Sequence, residues 1–133
     1  MEELRVSFPG GARVEVAFKG QVILTDQPAY AGGGGTAPSP FDLFLASLAA
    51  CVGYYLLAFC QARDLATQGG GATMHTQRNP QTKMIDRIEI SLHLPPGFPE
   101  HYTSAVLKAV DACTVKAHLL KPPAINVVAR KAD

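Results

Sequence analysis

The sequence has little net charge and few cysteines, and both shortages restrict the classes of function. Its formal charge is +1 over 133 residues, and Lys and Arg never form a run. We therefore expect no nucleic-acid partner and no binding to an anionic membrane, because both are recognised through basic patches. Three cysteines without close paired spacing do not form the disulfide framework of a small secreted protein. The three cysteines are therefore either structural or reactive thiols.

The N-terminus also lacks the pattern of a secretory signal peptide. The first five residues, MEELR, contain no basic region that leads into an apolar stretch. We therefore expect a cytoplasmic protein. Because 47% of the residues are apolar and 17% are charged, residues 1–133 are expected to form a single globular domain with a core of its own.

The longest apolar stretch, from Ser39 to Asp64, is typical of one long helix. Ser39 is a suitable N-cap, Pro40 suits the first helical position, and Asp42 can complete a capping box. No charge occurs between Asp42 and Arg63, and apolar residues occupy every side, which indicates an enclosed helix. Its roughly 20 uncharged residues meet the minimum length of a membrane span. Glycine, serine and glutamine dilute its hydrophobicity, however, so we expect a buried helix of a soluble protein.

Alternating apolar and polar residues predict strands on both sides of this helix. Tight turns between the first three predict an antiparallel meander. The predicted strands are residues 4–8, 13–18, 21–25, 72–77, 84–94 and Ala124–Ala129. Helical spacing predicts two shorter helices, residues 100–112 and 114–120. This order of elements predicts an α+β fold with mainly antiparallel sheets packed on a long central helix.

Spacings that mark cofactor or metal sites are missing. The four glycines of Gly32–Gly35 precede the long helix, but no Lys-Ser/Thr pair follows them, so we interpret residues 26–38 as a loop and not as a phosphate cradle. A metal site that draws on Cys51, Cys113 and one histidine is an alternative, but no C-x-x-C or H-x-x-x-H spacing supports it. We expect no metal and no cofactor. The histidines, His75, His93, His101 and His118, are interpreted as surface or strand residues.

Cys51 lies in the middle of the long helix and is either a small core residue or a reactive thiol. Five residues share its face of the helix: Phe44, Ser47, Leu48, Tyr54 and Tyr55. Cys60 is about 13.5 Å further along the axis on the opposite face, beyond the roughly 7 Å Cα limit of a disulfide, so these two cannot pair. We interpret Cys60 as a core residue. Cys113 lies at the end of one predicted helix or at the start of the next, where backbone N–H groups would favour a thiolate. It is otherwise a capping or core residue.

Two motifs resemble the OsmC/Ohr family, the osmotically inducible protein C and organic hydroperoxide resistance proteins. The first is PSPFDL, residues 38–43, which leads into LAAC, residues 48–51, and the second is CTVK, residues 113–116. The resemblance covers nearly the whole chain. It implies an intertwined homodimer in which sheets flank two long central helices and the active sites lie at the subunit interface.

The resemblance also implies a thiol-dependent peroxidase. Cys51 would attack an organic hydroperoxide, release the alcohol and become a sulfenic acid, which Cys113 would condense to a disulfide. An external dithiol would then reduce the disulfide. By the same resemblance, Arg13 of the first hairpin would activate Cys51 and Asp42 would hold its guanidinium. The apolar site would be lined by the aromatic residues Phe41, Phe44, Tyr54 and Tyr55.

One position departs from the family pattern. The best characterised members have a glutamate just after the helix-starting proline, whereas this chain has Phe41 there and its acid one residue later, at Asp42. The shift moves the carboxylate about 100° around the helix. It leaves an alternative function open, in which the protein is a non-catalytic member of the same fold that binds a small molecule or a protein.

Overall fold

A computed structural model describes residues 2–132, which contain five β-strands and three α-helices. The strands are β1 Arg5–Gly10, β2 Arg13–Phe18, β3 Gln21–Thr25, β4 Gly71–Arg78 and β5 Ile85–His93. The helices are α1 Pro40–Ala62, α2 Thr103–Asp111 and α3 Thr114–Leu120. All paired strands are antiparallel, which confirms the α+β prediction at this level. The described residues divide into two compact units, up to Ser47 and from Leu48 onward.

The first unit contains the predicted three-stranded meander, in the order β1-β2-β3. The β2–β3 turn is made by Lys19 and Gly20, with φ angles of 50° and 75°. Two successive positive φ angles are typical of the type I′ hairpin turn, whose twist matches that of the strands. The turn places Phe18 opposite Gln21 and fixes the register of the pair.

The loop between β3 and α1 is organised by the carboxylate of Asp26, which is only 2% exposed. It accepts hydrogen bonds from the Thr36 hydroxyl at 2.6 Å and from the backbone N–H groups of Thr36, Gln27 and Gly34 at 3.0, 2.8 and 3.3 Å. The hydroxyl and N–H groups of Thr36 are the main reason that the pKa of Asp26 is lowered to about 2, although burial acts in the opposite direction. The loop therefore holds a fixed carboxylate anion.

Helix α1 starts with the predicted capping box. The Asp42 N–H donates to Ser39 Oγ at 3.1 Å, and the Ser39 N–H donates to Asp42 Oδ2 at 3.4 Å. These bonds satisfy two N–H groups that have no partner within the helix.

The other end of α1 is closed by a Schellman motif. Leu65 N–H donates to Cys60 O at 2.9 Å, Asp64 N–H donates to Gln61 O at 3.3 Å, and Asp64 has a positive φ of 54°. Leu65 then packs against the hydrophobic cluster around Cys60. The helix thus ends two residues before the predicted boundary at Asp64.

The second unit packs the remaining part of α1 and helix α2 against the β4–β5 sheet. Two hydrophobic clusters form its core. One contains the buried residues Leu56, Phe59, Cys60 and Val106. The other contains the buried residues Leu48, Val52 and Cys113, with partly buried side chains of β4 and β5 packed against them. The alternation predicted for β5 is confirmed, since Ile88, Ile90 and Leu92 are more buried than their polar neighbours.

Two sequence predictions need correction in this unit. The predicted strand Ala124–Ala129 does not form within the described residues. Its apolar side chains are largely exposed, with Ile125 at 82% and Val127 at 90%. A strand requires a neighbouring edge for its backbone hydrogen bonds, and this segment is not paired with one. The helix predicted from residue 100 starts as a 3₁₀ turn, Glu100–Tyr102, and becomes α-helical at Thr103.

Helix α1 is long and apolar enough to cross a membrane, judged by length and composition alone. The mean hydropathy of its most apolar window is 2.1, and 28% of that window is buried inside the structure. Core helices of water-soluble proteins also meet this criterion.

Candidate active site

The structure brings Cys51 and Cys113 together, although 61 residues separate them in the sequence. Cys51 projects from α1 and is partly buried, and Cys113 is completely buried at the N-cap of α3. The two side chains pack in one cluster with Leu48 and Val52, and both thiols are free. Each thiol affects the pKa of the other.

The environment of Cys51 favours its thiolate. Burial is the largest influence and by itself raises the pKa of this thiol. The hydrogen bonds that the sulfur accepts from the Cys113 thiol and from the N–H groups of Val115 and Thr114 together outweigh it, so the pKa of Cys51 is lowered. The causes that lower the pKa of Cys51 are thus hydrogen bonds from the start of α3 and from Cys113.

Cys113 is affected in the opposite sense. Burial raises the pKa of its thiol, and the hydrogen bond to Cys51 raises it further, since Cys113 is the donor to a sulfur that carries negative charge. The N–H groups of Lys116 and Val115 act against these effects without cancelling them. The pair therefore consists of one sulfur that favours the anion and one that keeps its proton.

The start of α3 explains why N–H groups are available at this point. The Cys113 N–H donates to Val110 O at 3.0 Å and ends the preceding helical turn, while the first backbone bond of α3 runs from Ala117 N–H to Cys113 O at 2.9 Å. The N–H groups between these residues have no acceptor within the helix. Two of them, from Thr114 and Val115, are directed to the Cys51 sulfur.

A tyrosine connects the two elements of the site. The Tyr55 hydroxyl lies 2.9 Å from Thr114 Oγ1, within hydrogen-bond distance. Tyr55 follows Cys51 by one helical turn and is therefore on the same face of α1. Its neighbour Tyr54 is 61% exposed and contacts the Tyr55 ring edge-on, with ring centroids 5.8 Å apart.

An apolar pocket of about 350 Å³ lies against the cluster that encloses Cys113. Leu48, Val52 and Val110 line it, and the ion pair of Lys116 with Asp111 is at its edge. Neither cysteine lines this pocket. It provides apolar space beside the thiol pair, without direct access to either sulfur.

The other predicted site residues lie in the first unit. Phe41 and Phe44 form an aromatic pair with ring centroids 5.5 Å apart, and both are exposed. Arg13 donates from Nε to Gly10 O at 3.2 Å across its own hairpin turn, and Asp42 participates in the capping box. Each thus has a local partner, and the roles predicted for Arg13 and Asp42 beside Cys51 remain predictions.

Cys60 is fully buried in the other cluster, against Leu56, Phe59 and Val106. Within residues 2–132, no three His, Cys, Asp or Glu side chains lie close enough together to hold a metal ion. The four histidines, His75, His93, His101 and His118, are placed on β4, on β5, in the turn before α2 and on α3.

Sequence reasoning missed the contributions of Thr114, Val115 and the Tyr55 hydroxyl. The N–H groups act through the backbone, which no side-chain motif can reveal. The only available signal was the helix start after Cys113, which indicated unpaired N–H groups but not their target. Tyr55 was predicted as an apolar wall residue, whereas its hydroxyl binds Thr114.

Comparison with known proteins was made on both sequence and fold. The sequence profile described as OsmC-like protein matches residues 32–128. No functionally curated sequence matches the chain. An osmotic stress induced and detoxification response protein from Psychrobacter arcticus 273-4 has a similar structure, with a TM-score of 0.73, 20% identity, and coverage of 88% of this chain and 87% of that one.

Two further structures concern proteins assigned to organic hydroperoxide resistance. The Legionella pneumophila protein has a TM-score of 0.58 and 16% identity, and covers 90% of this chain and 88% of its own. The Vibrio cholerae O1 biovar eltor protein has captopril bound in one of its active sites. Its TM-score is 0.58 at 20% identity, and the match covers 88% of this chain and 83% of the Vibrio chain. At these identities the structures show a shared fold, and the profile shows the family. The chain belongs to the OsmC-like protein family.

Proposed function

We propose that the protein is a thiol-dependent peroxidase that reduces organic hydroperoxides to alcohols. The observation that carries the proposal is the packing of two free thiols, Cys51 and Cys113, in one hydrophobic cluster. The lowered pKa of Cys51 and the raised pKa of Cys113 agree with it. A peroxidase of this kind needs a thiolate that attacks and a nearby thiol that resolves the product. The assignment of two relatives to organic hydroperoxide resistance supports the same chemistry.

In the proposed reaction, the Cys51 thiolate attacks the terminal oxygen of ROOH. The O–O bond breaks, Cys51 becomes a sulfenic acid, and the leaving alkoxide takes a proton from the Cys113 thiol to become the alcohol. The Cys113 thiolate then attacks the Cys51 sulfur, so that a disulfide forms and hydroxide leaves to be protonated to water. An external dithiol reduces the disulfide by exchange and is itself oxidised. No metal or organic cofactor takes part.

Recognition of the organic group is proposed to use apolar surface around the thiol pair. The aromatic residues Phe41, Phe44, Tyr54 and Tyr55 are the proposed lining, as the family resemblance implies. Arg13 and Asp42 are proposed to act beside Cys51. The Vibrio protein, which holds captopril in an active site, supports the view that such sites admit a small organic molecule.

The working form is proposed to be a homodimer with the active sites at the subunit interface. Large apolar side chains are exposed in both units, including Phe8 at 81% and Val127 at 90%. Val127 belongs to a run of exposed apolar residues with Ile125 and Val128, and exposed apolar surface of this kind marks an interaction site. A second copy would cover these residues and the exposed side of α1, and would explain the helix without a membrane. We further propose that the two units act as one domain, in the cytoplasm, without nucleic acid or membrane as partners.

A second candidate function is that of a non-catalytic binding member of the fold. The observation that favours it is the capping box, in which Asp42 already accepts the Ser39 N–H and is exposed. In such a protein Cys51 would be a packing residue, and no peroxide would be consumed.

The deciding experiment measures consumption of cumene hydroperoxide and t-butyl hydroperoxide by the purified protein with dithiothreitol as reductant. We expect turnover of both, faster than that of hydrogen peroxide, and loss of turnover in Cys51→Ser. Cys60→Ala is the matched control because Cys60 lies in the other cluster. Failure to consume either organic peroxide would favour the binding member.

A further inference from the structure

We infer that Tyr55 is a positioning residue of the thiol pair, whose hydroxyl holds Thr114, and with it the start of α3, against Cys51. This inference rests on the proposed peroxidase function, because it assigns a role to Tyr55 within that site. Tyr55 itself takes no part in bond formation.

The geometry gives Tyr55 a direct connection to the site. Its hydroxyl lies 2.9 Å from Thr114 Oγ1, and Thr114 follows Cys113 directly. Tyr55 and Cys51 lie one turn apart on the same face of α1, so both reach the same end of α3. Within residues 2–132, no other hydrogen bond joins side chains of α1 and α3.

The position of α3 depends on its side-chain contacts with α1 because the helix is short. It contains seven residues, Thr114–Leu120, none of which is fully buried. Helices of this length are marginal unless tertiary contacts hold them. At its start, three contacts that reach α1 are the burial of Cys113 in the cluster with Leu48 and Val52, the packing of Val115 against that cluster, and the hydrogen bond between Thr114 and Tyr55.

The position of α3 in turn determines the state of Cys51. Cys51, Tyr55 and Val115 pack against the same hydrophobic cluster, which places the start of α3 beside the Cys51 thiol. Hydrogen bonding from the N–H groups of Thr114 and Val115 lowers the pKa of that thiol. Those N–H groups belong to the residue that Tyr55 holds and to the next one. When the hydrogen bond between Tyr55 and Thr114 is removed, the N–H groups of Thr114 and Val115 are positioned less firmly. A smaller fraction of Cys51 is then thiolate at neutral pH.

The chain offers a control in an exposed tyrosine of the first unit. Tyr30 is 95% exposed. Tyr30→Phe removes the same atom as Tyr55→Phe, at a position that has no part in the proposed site. At the other end of the bond, Thr114→Val removes the hydroxyl with little change in shape, and Thr114→Ser keeps it.

The experiment measures the rate of Cys51 alkylation by iodoacetamide from pH 5 to 10, followed on the Cys51 peptide by mass spectrometry. We expect Tyr55→Phe and Thr114→Val each to move the profile to higher pH and to slow alkylation at pH 7 by about two- to fivefold. A variant that carries both Tyr55→Phe and Thr114→Val should be alkylated no more slowly than either single variant, because each substitution removes the same hydrogen bond. Thr114→Ser and Tyr30→Phe should match the wild type.

The inference is wrong if the profile of folded Tyr55→Phe coincides with that of the wild type, or if the two single effects add in the double variant. Should Tyr55→Phe fail to fold, the contrast between Thr114→Val and Thr114→Ser decides the question. Peroxide turnover is measured in parallel. A wild-type protein without turnover, but with a shifted Tyr55→Phe profile, would contradict the peroxidase function and keep the positioning role.

Discussion

Cys51 and Cys60 project from the same helix into different hydrophobic clusters. Cys51 packs with Cys113, whereas Cys60 packs with Phe59 and Val106 and has no exposed surface. Only one of the two α1 thiols therefore has a sulfur partner within the second unit.

Mild oxidation should therefore link Cys51 to Cys113 and leave Cys60 reduced. Peptide mapping after treatment with one equivalent of cumene hydroperoxide measures the linkage. Cys60→Ala should give the same disulfide and lose about 1 kcal/mol of stability, because the substitution removes one buried atom from a packed cluster. A linkage that includes Cys60 would contradict the assignment of this residue to the core.

Alkylation of wild-type Cys51 should follow a pH profile whose midpoint lies below the ordinary thiol value of about 8.5. The direction follows from the lowered pKa of Cys51, since the thiolate is the reactive form and persists to lower pH. Cys113→Ala removes the hydrogen bond from the neighbouring thiol and should move the profile to higher pH. Cys113→Ser retains a donor and should move it less. Identical profiles for these proteins would show that Cys113 does not affect Cys51.

Asp26→Asn should destabilise the loop before α1 at neutral pH, because the amide replaces one acceptor oxygen among four hydrogen bonds by a donor. The pKa of Asp26 is lowered from 3.8 to about 2, so its stabilising effect is complete above pH 3.8 and is lost as the pH falls through 2. Urea unfolding at pH 7 should show a lower midpoint for the variant. At pH 2 the difference should be much smaller.

Asp64→Asn is the control for this comparison. Asp64 is exposed and has a positive φ that asparagine tolerates well. The urea midpoint of the Asp64→Asn variant should equal that of the wild type at pH 7 and at pH 2. An equal loss of stability in the two variants would mean that the effect comes from the lost charge and not from the Asp26 loop.

Val127→Lys should weaken self-association, because it places a charge in the exposed apolar segment that a second copy is proposed to cover. Sedimentation velocity over a series of concentrations measures the monomer–dimer equilibrium. Ala132→Lys adds the same charge outside the apolar run and should sediment as the wild type. A wild-type protein that remains monomeric at high micromolar concentration would contradict the proposed dimer.

Local chemistry explains which parts of the fold could be predicted from the sequence. The capping box of Ser39 and Asp42 and the Lys19–Gly20 turn depend on residues a few positions apart, so their patterns identify them directly. The contact between Cys51 and Cys113 depends on how α1 and α3 pack. No local pattern carries that information, and the pairing was available only through the family resemblance.

The segment Ala124–Ala129 shows a different limit of prediction from the sequence. Its apolar, β-branched composition is typical of extended structure and led to the prediction of a strand. Composition does not show whether the edge that would pair with the segment belongs to the same chain. Within residues 2–132 the segment has no such edge, and its side chains are exposed.

This exposed segment also affects the protein during synthesis. A newly made chain presents Ile125, Val127 and Val128 together with unpaired backbone groups, which is the type of surface that joins unrelated strands during aggregation. If the proposed dimer forms, its association competes with aggregation through the same exposed segment. Refolding yield should therefore pass through a maximum as chain concentration rises, since association is too slow in dilute solution and aggregation dominates in concentrated solution.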